Sequence, residues 1–216
     1  RDVYTIESSD ELSKQLSKKE VNNLNWHYQQ FNDELHETLP YVSMYNGLKH
    51  FYHNFDTLSF SSIDEFVKLG GMEYLEEYFA KRGERFGLSK SISNSTKNNL
   101  IWIAWNRDNY EYFHRFMTVF KDVLTTKRYD SAYWQNRFGR FYLKHGNLKS
   151  AKQYFTNAIT KYPNTALLHQ GLGKVYVAKG NMKLARENFV KAVELATLSS
   201  DPDLAEFETD LINIKT

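Results

Sequence analysis

The polar and apolar positions of this chain change period along its length, and those changes predict its elements. In "SSDELSKQLSKK" (8–19), Ser8, Ser9 and Asp10 precede Leu12 and Leu16 at helical spacing, with lysines in the last turn, which predicts a short amphipathic surface helix. In "LNWHYQQF" (24–31), Leu24, Trp26 and Tyr28 alternate with Asn25, His27 and Gln29, the period-two pattern of a strand. A short acidic loop carrying His36 follows. Pro40 then suits a first helical turn, and Val42, Tyr45, Leu48, Phe51, Tyr52 and Phe55 recur at helical spacing. Residues 61–87 hold two helical patterns divided at Gly70-Gly71, and "LSKSISNST" (88–96) reads as a Ser-rich linker. All later segments are helical in pattern. The expected organisation is residues 1–56, a helical bridge and linker over 57–95, and a helical domain over 96–216.

Those later helices repeat. At an offset of 34 residues, 132–165 matches 166–199. Phe138-Gly139 aligns with Leu172-Gly173, Tyr142 with Tyr176, Gly146-Asn147 with Gly180-Asn181, Ala151 with Ala185, Phe155 with Phe189 and Ala158 with Ala192. Small residues at fixed places let two antiparallel helices approach, aromatic ones fill the space between them, and the Gly-Asn pairs release the chain at helix ends. The period and residues resemble the tetratricopeptide repeat. Two repeats bury too little of each other's apolar face to stand alone. Residues 99–126 supply a degenerate third pair joined at "NRDN", with Trp102 expected at the glycine position and Phe113 or His114 at the alanine position. Residues 203–215 supply a polar-backed capping helix with Leu204, Phe207, Leu211 and Ile214 on one stripe. The predicted fold is mainly α: a TPR-like α-solenoid of antiparallel helix pairs, preceded by a short helix–strand–helix segment.

The resemblance implies an interaction groove formed by the first helix of each repeat. Its residues would be Tyr133, Asn136, Arg140, Leu143 and Lys144 from the first repeat, then Gln170, Lys174 and Val177 from the second. Arg140 and Lys174 are equivalent by the repeat and could meet an acidic segment of a protein or peptide.

A second resemblance concerns the start of the chain. The stretch "LNWHYQQFNDELHETLPYVSMYNGLKHFY" is similar to the last strand, catalytic-histidine loop and last helix of the α/β-hydrolase esterase family that includes enterochelin-type siderophore esterases and esterase D. The features carrying it are an aromatic strand, Asp-Glu-x-His, a proline and "YNGLKHFY". Some bacterial members of that family continue into tetratricopeptide repeats, and "YLEEYFAKRGERFG" looks like the bridge between the two parts. The resemblance implies that residues 1–56 end an α/β-hydrolase domain, that His36 is the base of a Ser-His-acid triad, and that the rest of the hydrolase domain is a missing N-terminal partner. The chain opens on Arg1 and contains no G-x-S-x-G, so by itself it is expected to lack esterase activity, with nucleophile and acid in a longer parent. The alternative is a stand-alone TPR interaction module without a catalytic role.

Composition narrows the partners. Lys and Arg total 28 against 26 Asp and Glu, a formal charge of +2, without the basic excess expected of a nucleic-acid binder. No apolar run approaches the roughly 18 residues of a membrane span, so neither nucleic acid nor membrane is an expected partner. The absence of cysteine removes disulfides, thiolate metal sites and a catalytic thiol, and leaves a periplasmic or cytoplasmic bacterial setting equally open. His50 and His53 lie three apart on one helix with no third ligand, and His27, His114, His145 and His169 belong to no recognisable constellation, so no metal and no cofactor are predicted. A lone strand exposes both its backbone edges, and residues 24–31 are therefore a candidate pairing surface for a second copy of the chain.

Overall fold

The computed structural model describes residues 3–19, 24 and 26–214. They divide into two compact units, one holding the residues up to Thr57 together with Phe79–Lys90, the other holding Leu58–Tyr78 and the residues from Ser91 onward. The helix Gly71–Phe86 contributes to both.

In the first unit, helix α1 (Val3–Lys18) begins five residues earlier than the Ser-Ser-Asp signal predicts, so Ser8, Ser9 and Asp10 lie within it. Asp10 accepts a 2.7 Å hydrogen bond from the Tyr28 hydroxyl, and that bond, with its carboxylate charge, raises the Tyr28 pKa. The strand expected over 24–31 is not formed: among its described residues, 24 and 26–31, none is in a regular element, and Asn25 lies outside the described residues. Side-chain alternation supplies the two faces of a strand but not the neighbouring strand that its N–H and C=O groups require. The helix–strand–helix remnant is therefore helix, irregular segment, helix. Helix α2 (Leu39–Phe51) starts with Pro40 in its first turn, as predicted, and ends at Phe51, before the predicted Phe55. Its last carbonyls are satisfied by Arg85, whose guanidinium donates to Phe51 O at 2.7 Å and His50 O at 3.3 Å, while Arg82 Nε reaches Phe55 O at 2.6 Å. Phe86 is ringed by Phe51, Tyr52 and Phe55, with ring centroids 5.2–6.2 Å away.

The second unit opens with α3 (Ile63–Lys68), capped by Ser62 Oγ on Glu65 N, and α4 (Gly71–Phe86) begins at Gly71, which like Gly70 before it is at positive φ. Helix α5 (Asn94–Asn106) starts inside the segment predicted as linker, because Ser93 caps it through Thr96 N. It is followed by α6 (Tyr110–Val119), α7 (Lys121–Leu124), α8 (Ala132–Lys144), α9 (Leu148–Lys161), α10 (Ala166–Ala178), α11 (Met182–Ser199) and α12 (Leu204–Ile212). Helices α5/α6, α8/α9 and α10/α11 pack as consecutive pairs, α9 and α8 pack on α10, and α12 closes on α11.

The turn inside each pair is the same. Asn147 N bonds Tyr142 O and Gly146 N bonds Leu143 O, the two bonds of a Schellman turn, and Asn181 and Gly180 repeat them on Tyr176 and Val177. The asparagine then caps the next helix, Asn147 on Ser150 N and Asn181 on Leu184 N. Asp108-Asn109 makes that turn in the degenerate pair, with Asp108 at φ 55° where the repeats place Gly146 at 72° and Gly180 at 71°. Counting back from this shared turn puts Ile101, not Trp102, at the glycine position, and Phe113 at the alanine position. Both are buried.

Glycines fit the rings. A Cβ on Gly139 would lie 2.7 Å from Phe155 Cζ, one on Gly171 would lie 2.2 Å from Phe155 Cε1, and one on Gly173 would lie 2.6 Å from Phe189 Cε1. The fully buried Phe155 is thus seated between backbone stretches of α8 and α10, and Gly173 with Phe189 repeats the Gly139–Phe155 contact 34 residues on. Phe207 of α12 closes the end of the stack against Ala166, Ala192, Leu195 and Ala196.

Candidate functional site

Helices α8 and α10 form one wall of an open groove of about 840 Å³. Tyr133, Asn136, Arg140, Leu143, Lys144, Gln170 and Lys174 all line it. Val177 lies instead in a smaller hollow with Met182, Phe189 and Ile214. Spacing explains the convergence: positions 133, 136, 140 and 144 fall three and four apart on one face of α8, and 170 and 174 do the same on α10.

The groove's cations are in unequal states. Lys144 donates to Asp108 Oδ2 at 2.6 Å, and His145 Nε2 is 2.9 Å from the other carboxylate oxygen; the two partners, Lys144 first, hold the Asp108 carboxyl below its usual range. Lys174 pairs with Asp210 at 3.0 Å and Glu206 at 3.3 Å, both on the capping helix. Gln170, nearly fully buried, donates to the same carboxylates at 2.8 and 2.6 Å, and its bond to Glu206 is the main reason that the Glu206 pKa is lowered. Arg137 lies over the Trp105 ring at 4.4 Å and bonds the Tyr133 hydroxyl. Arg140 is exposed and makes no hydrogen bond or ion pair among the described residues. One turn before it, Asn136 is only 7% exposed, and its Oδ1 is buried without a hydrogen-bond partner.

Several contributors were not visible in the sequence. Trp105, Asp108 and Asp203 also line the groove, yet each lies more than twenty residues from the α8 or α10 side chains it joins. Arg137 could have been found, since it stands four residues from Tyr133 and one residue after Asn136 on the same helix. His145 and His114 belong to a partly exposed polar and aromatic cluster rather than to no constellation: His145 meets Asp108 and stacks on Tyr110 at 5.0 Å, and His114 Nδ1 is 3.2 Å from the Tyr142 hydroxyl.

His36 is placed in an exposed turn before α2. Thr38 organises that turn, with its hydroxyl donating to Glu34 at 2.7 Å and accepting from Leu35 N at 3.1 Å. No strand precedes it among the described residues, so the geometry that delivers a triad base at the carboxyl end of a strand is not formed here. The described residues of 24–31 likewise present no strand edge for pairing. Among the described residues, no helix is long and apolar enough to cross a membrane.

Residues 166–197 match the tetratricopeptide repeat family. No curated protein matches the chain. Among solved structures, "MamA 41-end from Desulfovibrio magneticus RS-1" is 19% identical over 70% of this chain and 89% of that one, with a TM-score of 0.40. "MamA RS-1 ArsTM double mutant" is 18% identical over the same shares, 70% and 89%, with a TM-score of 0.38. Helices α10 and α11 are thus a tetratricopeptide repeat, and α8 and α9 share its glycine, phenylalanine and Gly-Asn construction.

Proposed function

We propose that the helix pairs of this chain are a protein-interaction module that takes a peptide segment of another protein in the α8–α10 groove. The observation that carries the reading is the convergence of Tyr133, Asn136, Arg140, Lys144, Gln170 and Lys174 on one open cavity of about 840 Å³, large enough for several side chains. Its lining mixes rigid aromatic surface from Trp105, Tyr133 and Phe141 with convergent polar groups, the combination that anchors and orients peptides. Groove acids at Asp108 and Asp203 argue against a phosphate-backbone ligand.

Neither the hydrolase reading of residues 1–56, with His36 as triad base and a missing hydrolase domain as partner, nor pairing of two copies through 24–31 gains support from the comparisons, in which the family match lies at 166–197. Random-peptide phage display against the full chain tests the module. Peptides should be enriched that bind the wild-type chain and His36→Ala equally and lose binding to a Tyr133→Ala, Arg140→Glu variant. Failure to enrich any peptide, or peptides indifferent to the groove variant, contradicts the reading.

A further inference from the structure

The α12 end of the stack is apolar and uncovered. Each first helix packs on the second helix of the pair before it, α10 on α9, and α12 packs on α11 in the same way. Helix α12 thus takes the place of a first helix, yet among the described residues it has no second helix of its own. Its Phe207 enters the core, and Glu206 and Asp210 reach Gln170 and Lys174. The remaining side, Ala205, Thr209 and Ile212 at i, i+4 and i+7, is exposed. Beside it, a hollow of about 460 Å³ lies between Val190, Val193, Thr197 and Leu198 of α11 and Leu211 of α12. Leu198 and Ile212, 83% and 80% exposed, are the most exposed large apolar side chains among the described residues. The hydroxyls of Thr197 and Thr209 donate to Val193 O and Ala205 O at 2.8 and 2.7 Å, so neither needs water to be satisfied.

We propose that this surface is a two-fold contact with a second copy of the chain. Such a contact needs one patch that is both knob and hole. Here Leu198 and Ile212 protrude, and the hollow between α11 and α12 can receive a side chain. An antiparallel pairing of two α12 helices centred between Glu208 and Thr209 brings Ile212 of one copy over the small Ala205 of the other, and each copy supplies the helix that the other lacks. The charges beside the patch are few. Lys191 and Glu194 pair with each other at 3.2 Å, which leaves Glu208 as the acid that the pairing sets next to its own copy. Like charges so placed oppose association. The patch is on the order of 500 Å² per copy, the upper range for a monomer, and pairing buries about 1,000 Å² in all, enough for a weak and reversible dimer.

Sedimentation equilibrium of the full chain from about 1 μM to about 1 mM tests this. The mass should rise from that of one copy toward that of two and stop there, because a two-fold contact closes. Leu198→Glu and Ile212→Glu, at positions too exposed to disturb the fold of one copy, should each hold the mass at one copy throughout. Glu208→Gln should lower the dissociation constant several-fold, since its two carboxylates meet only across a two-fold; a basic partner helix on the same face would be weakened by that change instead. A single-copy mass over the whole range, growth beyond two copies, a dimer that survives both glutamate variants, or a dimer that Glu208→Gln leaves unchanged or weakens would each overturn the proposal. The Tyr133→Ala, Arg140→Glu variant should associate as the wild type does, so the outcome is independent of the peptide groove.

Discussion

Residues 39–55 and residues 132–199 are both rich in aromatic side chains and dispose of them differently. In α2 and at its C-cap, Tyr41, Tyr45, Phe51 and Tyr52 are 49–72% exposed, and among the described residues from 24 to 57 none is buried. In the repeats, Phe155 and Phe189 are sealed against glycines 139, 171 and 173. The difference is that the repeat sequence encodes both sides of each contact, ring and socket, at fixed spacing, whereas α2 encodes only the ring. Apolar periodicity makes a helix; it does not supply what the helix packs on.

The sharpest way to break this comparison is to remove a ring from each region. Phe155→Ala should cost about 3–5 kcal/mol, the usual range for emptying a buried phenylalanine site, while Tyr45→Ala, at an exposed position, should stay within about 0.5 kcal/mol. Urea denaturation followed by circular dichroism reads both, and similar losses at the two positions would erase the distinction. Filling the socket is the next largest change. Gly171→Ala places a methyl 2.2 Å from the Phe155 ring and should cost about 1–3 kcal/mol as an overpacked contact. Replacing Gly47 in α2 by Ala meets nothing within 4 Å and should be neutral or slightly stabilising, since alanine is the better helix former. Asn147→Ala, which removes the cap on Ser150 N, should cost about 1 kcal/mol.

These same contrasts explain what could be read before the structure. The 34-residue offset made the glycine, phenylalanine and Gly-Asn positions legible because each repeat checks the other, and the groove followed from helical spacing on α8 and α10. The degenerate pair had no such check, so its register was read one residue late, at Trp102 instead of Ile101. The strand at 24–31 was misread because alternation is a property of one segment while a strand is a property of two. The polar cluster of Asp108, Lys144 and His145 was hidden by distance in sequence: its partners lie 36 and 37 residues apart.

The smallest expected effects are in pH dependence. Asp108, Asp122, Asp130 and Glu206 each have a pKa lowered, chiefly by a hydrogen bond from a neighbouring Lys or, for Glu206, from Gln170. A depressed folded value means that their stabilisation is complete above the ordinary carboxylate range near pH ~4 and fades as pH falls through the lower folded values. Tyr142, buried, and Tyr154, half-buried, act in the opposite direction. Burial raises both, Tyr154 to about 12, so their contribution is complete below the ordinary phenol value and is lost as pH rises from that value through the raised folded ones. Thermal melting across pH should therefore show a plateau flanked by an acid and an alkaline decline. Tyr154→Phe should remove part of the alkaline limb, and an unaltered limb in that variant would contradict the assignment.

The most direct test of the account is hydrogen exchange on the full chain, free and with a peptide enriched on it. Amides of α8 through α11 should be the slowest to exchange and those of α2 among the fastest, and the peptide should slow α8 and α10 further while leaving α2 and the turn around His36 unchanged. Protection confined to residues 24–57, with α8 and α10 unaltered by the peptide, would contradict the claim that the groove is the working surface of this protein.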